Sequence, residues 1–455
     1  MRYIPHSAKD VAAMLEKIGA DSIDELFEQI PEPLRSKNEL DLPEPMSEPE
    51  LMAHLQSLAG GLPAEGRISF LGAGAYCHHV PPAVDQILLR SEFYTAYTPY
   101  QPEVSQGTLQ GIFEYQSMIC RLLSMDVANA SLYDGATALA EAALMARRVV
   151  RKRERLAVSA GVHPEYLEVL ETYLQNLDEG GPKIDLIPLD EQSGATDLDA
   201  LKKALGDETA AVIIAQPNFY GVVERLDEAA RLAHEADALA ISSTAEPFAF
   251  GVLTPPGELG VDIATGEGQP LGLPPSFGGP GLGLFAVRKG RKLLRQMPGR
   301  LVGQTTDGEG NKGYVLTLAT REQHIRREKA TSNICTNHGL CALAVTVNLS
   351  LIGKAGFSEV ARTCLARAEH LKAGIAAIDG FEIRFSGPTF NEFAVRVTDG
   401  RKAADVLAAL EGDDLLAGVD LGRFDPALAD SFLVAVTECS PPAALDFYLE
   451  KLATV

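Results

Sequence analysis

The side chains best suited to chemistry begin in a tyrosine-rich segment, which reads YTAYTPYQPEVSQG at 94–107. Two prolines and a glycine are incompatible with a regular helix, so the tyrosines lie on irregular backbone. Each tyrosine offers a flat apolar ring and a hydroxyl for hydrogen bonding. The segment therefore predicts either an aromatic cluster that packs a turn or an active-site wall that uses Tyr97, Tyr100, Ser105 and Gln106.

A second chemically rich run lies at 321–336 and reads REQHIRREKATSNICT. Four of its first nine residues are cationic, although the chain carries a formal net charge of −22. One interpretation is a solvated helix face on which Glu322 and Glu328 pair with neighbouring cations. The other is an anion-facing edge, with hydroxyl and amide donors at Thr331, Ser332 and Asn333.

A third stretch, at 266–287, reads GEGQPLGLPPSFGGPGLGLFAV. Glycine allows positive φ and lets a ligand or another backbone segment approach closely. The apolar run Leu284–Val287 that follows the glycines predicts a strand. The pattern indicates a loop that is shaped around a bound group and leads into the sheet.

Together these stretches resemble the glycine decarboxylase P-protein family. The run at 321–336 matches the family's R-E-Q-H-I-R-R-x-K-A-T-S-N-I-C-T almost letter for letter, and 97–107 follows its Y-T-P-Y-Q-x-E-x-S-Q-G signature. The glycine-rich stretch resembles the family's cofactor-lysine loop, in which the lysine precedes the last proline by eleven residues. Counting back from Pro280 places Gln269 there, and Pro274 falls on the motif's internal proline. A glutamine amide cannot form a Schiff base, because its nitrogen is not a nucleophilic amine.

The resemblance is closest to the first (alpha) subunit of the two-subunit bacterial P-protein. It implies that pyridoxal phosphate (PLP) is carried by the beta subunit and not covalently by this chain. It also implies an α2β2 complex that decarboxylates glycine and passes the aminomethyl group to the lipoyl arm of H-protein. No self-contained catalytic residue is expected. The implied contributions to a shared active site are Tyr97, Tyr100, Ser105, Gln106, Thr331, Ser332 and Asn333.

A PLP enzyme of this fold needs a lysine, an acid against the pyridine nitrogen and a helix N-terminus for the phosphate. Gln269 stands at the lysine position. The strand end at 242–246 reads SSTAE, with hydroxyls where the acid is expected and Glu246 a few residues late. The turn before the next predicted helix contains Asp134, which is a good N-cap but whose charge would repel a phosphate. The sequence therefore predicts that all three elements are missing or occupied.

Between about 130 and 290, short apolar runs alternate with helical patterns. This alternation predicts an α/β fold with a mostly parallel sheet covered by helices on both faces. The resemblance implies the fold-type I, aspartate aminotransferase-like arrangement. Three regions are expected: an N-terminal helical arm at 1–65, a large α/β domain at 66–330, and a small C-terminal α+β domain at 331–455 that opens with a long helix.

The composition is that of an ordinary globular protein, with 46% hydrophobic and 22% charged residues. The acidity argues against nucleic acid and anionic membrane as partners. Six scattered cysteines without a C-x-x-C pattern fit a reducing compartment and neither a disulfide framework nor a metal site. No stretch is expected to span a membrane, and no signal peptide core precedes the first predicted helix, so a cytoplasmic location is expected.

Two other functions stay open at this point. The chain could be an independent PLP enzyme that uses another lysine, with Lys289, Lys312 and Lys329 as the nearest candidates. It could also be a catalytically silent regulatory or binding protein that has kept the fold, which fold alone does not exclude.

Overall fold

The computed structural model describes residues 5–35, 41–59, 67–177 and 183–455. It divides into two compact units, Met1–Glu65 and Gly66–Val455. The α-helices of the described residues are α1 (Ala8–Ile18), α2 (Glu48–Ala59), α3 (Pro82–Leu88), α4 (Ser91–Tyr94), α5 (Gln106–Leu123), α6 (Gly135–Val149), α7 (Pro164–Leu174), α8 (Leu198–Ala204), α9 (Leu226–Glu235), α10 (Arg291–Gln296), α11 (Gln323–Arg326), α12 (Gly339–Ile375), α13 (Ala403–Glu411) and α14 (Pro442–Leu452). The strands are β1 (Ile68–Ser69), β2 (Val127–Ala128), β3 (Arg155–Ser159), β4 (Ile184–Ile187), β5 (Thr209–Ala215), β6 (Leu239–Thr244), β7 (Ile263–Glu267), β8 (Gly283–Val287), β9 (Leu301–Thr306), β10 (Lys312–Thr317), β11 (Phe381–Ile383), β12 (Glu392–Val397), β13 (Leu415–Leu416), β14 (Val419–Asp420) and β15 (Ser431–Ala435).

Three capping patterns in the N-terminal unit, at Ser7–Asp10, Ser22–Glu25 and Ser47–Glu50, predict three helices, and two of them form. A reciprocal capping box between Ser7 and Asp10 starts α1, and α2 follows Ser47, whose amide donates to Glu50. The predicted middle helix is instead a 3-10 turn, Asp24–Phe27. Too few residues separate this turn from Pro31 for the cooperative growth of an α-helix. The glycines and proline at 60–63 predict the end of the third helix, and these residues lie outside the described part of the chain.

A seven-stranded sheet forms the centre of the second unit, in the order β2-β8-β7-β6-β5-β3-β4. Strands β3 to β7 are parallel to one another. At one edge of the sheet, β8 pairs antiparallel with β7, and β2 pairs antiparallel with β8. Side chains of β5 alternate between two cores: Val212 and Ile214 pack in one, Ala211 and Ile213 in the other. Helices on both faces complete these cores. The predicted α/β class with a mostly parallel sheet is confirmed.

Strand β7 was not predicted, because its C-terminal half lies in the glycine-rich stretch. Gly266 and Glu267 are strand residues, so the loop itself begins at Gly268. A Cβ at Gly266 would lie 2.6 Å from the carbonyl oxygen of Thr244 in β6. The glycine here permits close contact between strands rather than a turn. Glu267 therefore stands at a strand end, a position with functional consequences.

A smaller four-stranded sheet, in the order β11-β12-β15-β14, carries α13 and α14 and has its own apolar core. Strand β1 pairs in parallel with β13, so the start of this unit lies beside its C-terminal part. The hairpin β9–β10 was not anticipated from the sequence. The proposed boundary near residue 330 stays a prediction.

Helix α12 is long and apolar enough, by length and composition, to cross a membrane. The prediction that no stretch would qualify was wrong, because alanine, leucine and valine dominate 340–352. Core helices pass the same test, and Ala342, Ala344 and Val345 are buried in the large core. Gly353 interrupts the helix with φ 58. Helix α12 is thus only a weak indication of a membrane span.

Candidate functional site

Gln269 is buried just beyond β7, and its side-chain amide bonds only to backbone groups. Its Oε1 accepts a hydrogen bond from the Tyr76 amide at 3.2 Å. Its Nε2 donates to the carbonyl oxygens of Tyr76 at 3.0 Å and Leu273 at 2.6 Å. The glutamine therefore fastens the segment after β1 to the end of β7. A neutral amide therefore makes these hydrogen bonds at the position where the family pattern has the lysine amine.

The Glu267 carboxylate lies at the N-terminus of α6. Its Oε2 accepts from the Gly135 amide at 2.9 Å, and its Oε1 accepts from the amides of Gln269 and Leu282. Burial raises the pKa of this carboxyl, while the three amide donors oppose that shift. A carboxylate from the chain itself thus fills the place where a helix N-terminus would bind an anion.

Sequence reasoning gave this role to Asp134 alone. The structure confirms Asp134 as the N-cap of α6, with its carboxylate accepting from the Thr137 amide at 2.7 Å. Glu267 was missed because β7 was not recognised. The useful signal would have been an acidic residue two positions before the missing lysine.

Two aromatic rings close the same pocket. His163 stacks on Tyr166 with ring centroids 4.9 Å apart, and its Nε2 donates to the Ala73 carbonyl oxygen. Burial lowers the pKa of His163, which favours the neutral ring. A Cβ at Gly135 would lie 2.4 Å from the Tyr166 hydroxyl, so that phenol also stands at the start of α6. Both rings also line a neighbouring cavity, together with Tyr76 and Glu246, that is about 20 Å³ and has room for about one water molecule.

Glu246, the late candidate for the acid, is buried and already paired. Its Oε2 lies 2.7 Å from His78 Nε2, and its Oε1 accepts from the Phe248 amide. The strand end before it, Ser242 to Thr244, carries hydroxyls as the sequence indicated. The residues that line the closed pocket in the described part of the chain include no lysine, and thus neither Lys289, Lys312 nor Lys329.

A different polar centre forms around Arg300, which is 3% exposed and was not predicted. Its Nη1 donates to Thr98 Oγ1 at 3.1 Å and to the Thr336 carbonyl oxygen at 3.2 Å, and its Nη2 donates to the Tyr100 hydroxyl at 3.1 Å. Its Nε faces the buried Glu322 carboxylate at 3.4 Å. The arginine thus joins the tyrosine segment to both ends of the 321–336 run.

A cavity of about 330 Å³ opens beside this arginine. Tyr97 lines it and is 78% exposed, while Tyr100 is 49% exposed and places its ring over the Arg300 guanidinium at 5.3 Å. The lining combines the tyrosine segment, the start of α5 and the start of α12. Its polar members include Thr98, Arg300, Thr336, Asn337 and His338.

Ser105 and Gln106 do not line this cavity. Ser105 precedes α5, where its side chain makes no capping bond. The Gln106 amide bonds across to β10, accepting from the Tyr314 amide at 2.9 Å and donating to the Tyr314 carbonyl oxygen at 2.9 Å. Its position fixes the hairpin against α5.

Thr331, Ser332 and Asn333 form a separate group, directed toward α6 and α7. Ser332 Oγ donates to the buried Glu141 carboxylate at 2.6 Å, and Asn333 hydrogen-bonds to Tyr173. The Thr331 amide donates to the Arg321 carbonyl oxygen. The structure therefore does not bring these three side chains to the Arg300 cavity.

The cationic run folds as short turns around α11 and not as one continuous helix. Glu322 pairs with Arg300, and His324 Nδ1 of α11 lies 3.6 Å from the same carboxylate. Arg321 donates to the carbonyl oxygens of Met297 and Gly299. Arg321 is thus structural, and the neighbouring Glu322 carboxylate belongs to the polar group around Arg300.

The chain matches a family model described as glycine cleavage system P-protein over residues 1–449. The chain belongs to this family. A relative from Sorangium cellulosum, named probable glycine dehydrogenase (decarboxylating) subunit 1, is 53% identical over 454 residues, which cover 100% of this chain and 99% of the relative. A relative of the same name from Moorella thermoacetica is 50% identical over 98% of each chain. This chain is therefore of the subunit 1, or alpha, type.

Solved structures agree with this assignment. A crystal structure of glycine decarboxylase (P-protein) of the glycine cleavage system, in inhibitor-bound form, superposes with a TM-score of 0.87 and 41% identity over 100% of both chains. A sphingosine-1-phosphate lyase from Burkholderia pseudomallei, 16% identical, gives a TM-score of 0.68 over 92% of this chain and 93% of that one, which shows the fold alone. The neighbours are fold-type I PLP enzymes, so the expected fold class is confirmed and PLP is the cofactor of the P-protein family.

The closed pocket of this chain does not fit PLP. The lysine position holds an amide with three backbone bonds, and the start of α6 already binds Glu267. Tyr166 stacks on His163 and brings its hydroxyl to the start of α6, next to Gly135. A cavity of about 20 Å³ cannot accept a pyridine ring with a phosphate.

Proposed function

We propose that this chain is the cofactor-free subunit of a two-subunit glycine decarboxylase, and that PLP is carried by the partner subunit. The observation that carries the proposal is the buried Gln269 amide, hydrogen-bonded at the family's lysine position. The partner is a PLP-bearing beta subunit, in an α2β2 complex. That complex decarboxylates glycine in the cytoplasm and transfers the aminomethyl group to the lipoyl arm of H-protein.

The Arg300 centre is the part of this chain that we assign to the shared active site. The Arg300 guanidinium and Thr98 border an open cavity, and the Tyr100 hydroxyl bonds to the same guanidinium. Such donors can position an anionic substrate group or hold a partner loop in place. Tyr97 and Tyr100 therefore remain our leading contributors. Gln106 bonds to β10 and Ser332 to Glu141 of α6, and neither these two nor Ser105, Thr331 and Asn333 line the Arg300 cavity.

Reductive trapping tests where PLP resides. We expect no stoichiometric adduct when this chain alone is incubated with PLP and reduced with borohydride, and one adduct on the partner when the complex is treated. Scattered partial labelling of exposed lysines is compatible with this result. A stoichiometric adduct on a single lysine of this chain would overturn the proposal and favour an independent PLP enzyme.

Substitutions at Tyr100 test the shared site. Tyr100→Phe removes the hydroxyl that accepts from Arg300 but keeps the ring, so assembly should be intact. If the hydroxyl contributes to the transition state, glycine–bicarbonate exchange with partner and H-protein should fall about ten- to a thousandfold. Full exchange activity in Tyr100→Phe would remove Tyr100 from the site.

Tyr100→Ala is the matched control, because it also removes the ring over Arg300. We expect it to weaken complex formation, measured by analytical ultracentrifugation, as well as activity. Full activity of the partner without this chain would refute the larger proposal that the alpha subunit completes the site, and would favour a silent binding relative.

A further inference from the structure

Two cysteines from distant parts of the sequence are held together at the surface. Cys77 lies in the segment after β1, and Cys439 lies shortly after β15, and both are exposed and free. The Thr437 hydroxyl donates to the Cys77 carbonyl oxygen at 2.7 Å and accepts from the Cys439 amide at 3.2 Å. One hydroxyl oxygen thus contacts both cysteine backbones.

The neighbouring backbone is anchored at a second point. The Ala435 amide donates to the Phe70 carbonyl oxygen at 3.0 Å, so the two segments run side by side. Each of the two thiols shifts the pKa of the other, so the side chains of Cys77 and Cys439 lie near one another. A disulfide needs Cα atoms about 4.4–6.8 Å apart. The Thr437 hydroxyl contacts both cysteine backbones, which holds the two cysteines close enough for such a bond to be tested.

Charged groups below the surface affect the pKa values of the Cys77 and Cys439 thiols. His78 lies between two carboxylates, with its Nδ1 2.7 Å from Glu438 and its Nε2 2.7 Å from Glu246. The Cys439 contact lowers the pKa of Cys77 to about 6, aided by the His78 cation and opposed by burial and Glu438. The same contact raises the pKa of Cys439. One thiol of the pair is therefore ionised near neutral pH, which makes it the better nucleophile.

We propose that Cys77 and Cys439 form a reversible thiol–disulfide site that reacts with low-molecular-weight disulfides such as glutathione disulfide. The Cys77 thiolate attacks one sulphur of that disulfide, its S–S bond breaks, and one glutathione leaves as thiolate. Cys439 then loses its proton and attacks the Cys77 sulphur, releasing the second glutathione. The two protein thiols are oxidised by two electrons, and one glutathione disulfide is reduced to two glutathiones, which take up the two protons.

The bond would restrain a segment that also closes the pocket around Gln269. Tyr76, next to Cys77, bonds through its backbone to Gln269 and through its hydroxyl to Glu392 at 2.7 Å. Oxidation would join this segment covalently to the C-terminal part of the fold. We therefore expect the oxidised chain to unfold at a higher urea concentration than the reduced chain.

Intact mass spectrometry after treatment of the reduced chain with glutathione disulfide tests the proposal. We expect the chain to lose two hydrogens, to retain no glutathione, to give a peptide cross-link between Cys77 and Cys439, and to revert with dithiothreitol. Cys439→Ser should retain one glutathione at Cys77, because the second step is lost. Cys77→Ser should form no cross-link, and unchanged circular dichroism would show that both variants are folded.

Cys335 provides an internal reference, because it is also exposed and free. At pH 6 about half of Cys77 is thiolate, against about 0.3% of an ordinary thiol with a pKa of about 8.5. The weaker nucleophilicity of a more acidic thiolate reduces that advantage, leaving alkylation of Cys77 by iodoacetamide roughly tenfold faster than that of an ordinary thiol. Alkylation no faster than at Cys335, a stable mixed disulfide at Cys77 in the unaltered chain, or a cross-link between other cysteines would each overturn the proposal.

Discussion

The pocket around Gln269 and the cavity around Arg300 are both rich in polar side chains, but they use them differently. Around Gln269 the amide and the Glu267 carboxylate bond to the chain's own backbone, and the neighbouring cavity beside Tyr76 has room for about one water molecule. Around Arg300 the donors join three segments and border a cavity of about 330 Å³. The region around Gln269 therefore has a structural role, whereas the Arg300 cavity presents polar groups that a partner or ligand can reach.

The two regions should therefore respond differently to substitution, one in stability and the other in activity. Substitutions in the closed pocket should change stability and leave the activity of the assembled enzyme nearly unchanged. Substitutions at the Arg300 cavity should change activity, and those that remove the buried charge should change stability as well. The four predictions below run from the largest expected effect to the smallest.

Arg300→Met should lower the free energy of unfolding by about 3–5 kcal/mol, because it leaves the buried Glu322 carboxylate without its guanidinium partner. Urea denaturation of the isolated chain measures this. Adding Glu322→Gln should recover much of the loss. Arg90→Met is the matched control, since its pair with Glu92 is exposed and should contribute little to stability. Equal losses for Arg300→Met and Arg90→Met would contradict the central role of Arg300.

Glu392→Gln should remove a dependence of stability on pH. Burial raises the pKa of Glu392 to about 7, although the Ala73 amide and the Tyr76 hydroxyl donate to it. Between the unfolded pKa of about 4.3 and this folded value, the folded state binds more protons, so stability falls as pH rises, by on the order of 3 kcal/mol.

The measurement for Glu392 is the urea midpoint of both chains from pH 4.5 to 7.5. The pKa of Glu438 is lowered to about 2 and that of His78 is raised to about 10, so most of their titration lies outside this window. We expect the stability of the variant, relative to the unaltered chain, to rise steadily across the window. A constant difference would show that Glu392 titrates normally.

Gln269→Leu should lower the free energy of unfolding by about 1–3 kcal/mol, because the buried Tyr76 and Leu273 backbone groups lose their partners. Assembled with the PLP-bearing partner, the variant should keep nearly full glycine–bicarbonate exchange. Tyr100→Phe gives the reverse expectation, with little loss of stability and a large loss of exchange. A selective loss of exchange activity in Gln269→Leu would mean that the closed pocket still takes part in catalysis.

Gln269→Lys should have the smallest functional effect. It restores the amine, but Glu267 still occupies the start of α6 and Tyr166 still stacks on His163. We expect no stoichiometric PLP adduct and no glycine decarboxylation by the chain alone. Adding Glu267→Gln removes the charge and sharpens the test. PLP-dependent activity of the single variant without a partner would show that the lysine alone was missing.

The three chemically rich stretches are sufficient by themselves to indicate the family. Each of these stretches is continuous in the sequence, from the glycine-rich loop with its lost lysine to the tyrosine signature and the run at 321–336. The order of the residues is therefore enough to identify each motif. The fold class followed from alternating strand and helix patterns, and the helical patterns at 164–174 and 226–235 and the strand pattern at 392–397 coincide with the observed α7, α9 and β12. Capping boxes placed α1 correctly, because the capping bonds are short in sequence.

The sequence also determined that this chain lacks the nucleophile, because no fold can turn the Gln269 amide into an amine. It did not determine what fills the vacated pocket. Glu267 reaches the start of α6 through a contact across 132 positions, and the Tyr166 hydroxyl reaches the same helix start from α7. Such contacts depend on the strand order, which local patterns do not encode.

The Arg300 centre was decided by tertiary structure alone. Its partners come from residues as distant as Thr98 and Asn337, and a single arginine carries no periodic or motif signal of its own. The same folding separated Thr331, Ser332 and Asn333 from the cavity, although they are near neighbours of Thr336 in the sequence. Adjacent residues on irregular backbone point in different directions, so their shared motif could not show which side chains meet the cavity and which support α6.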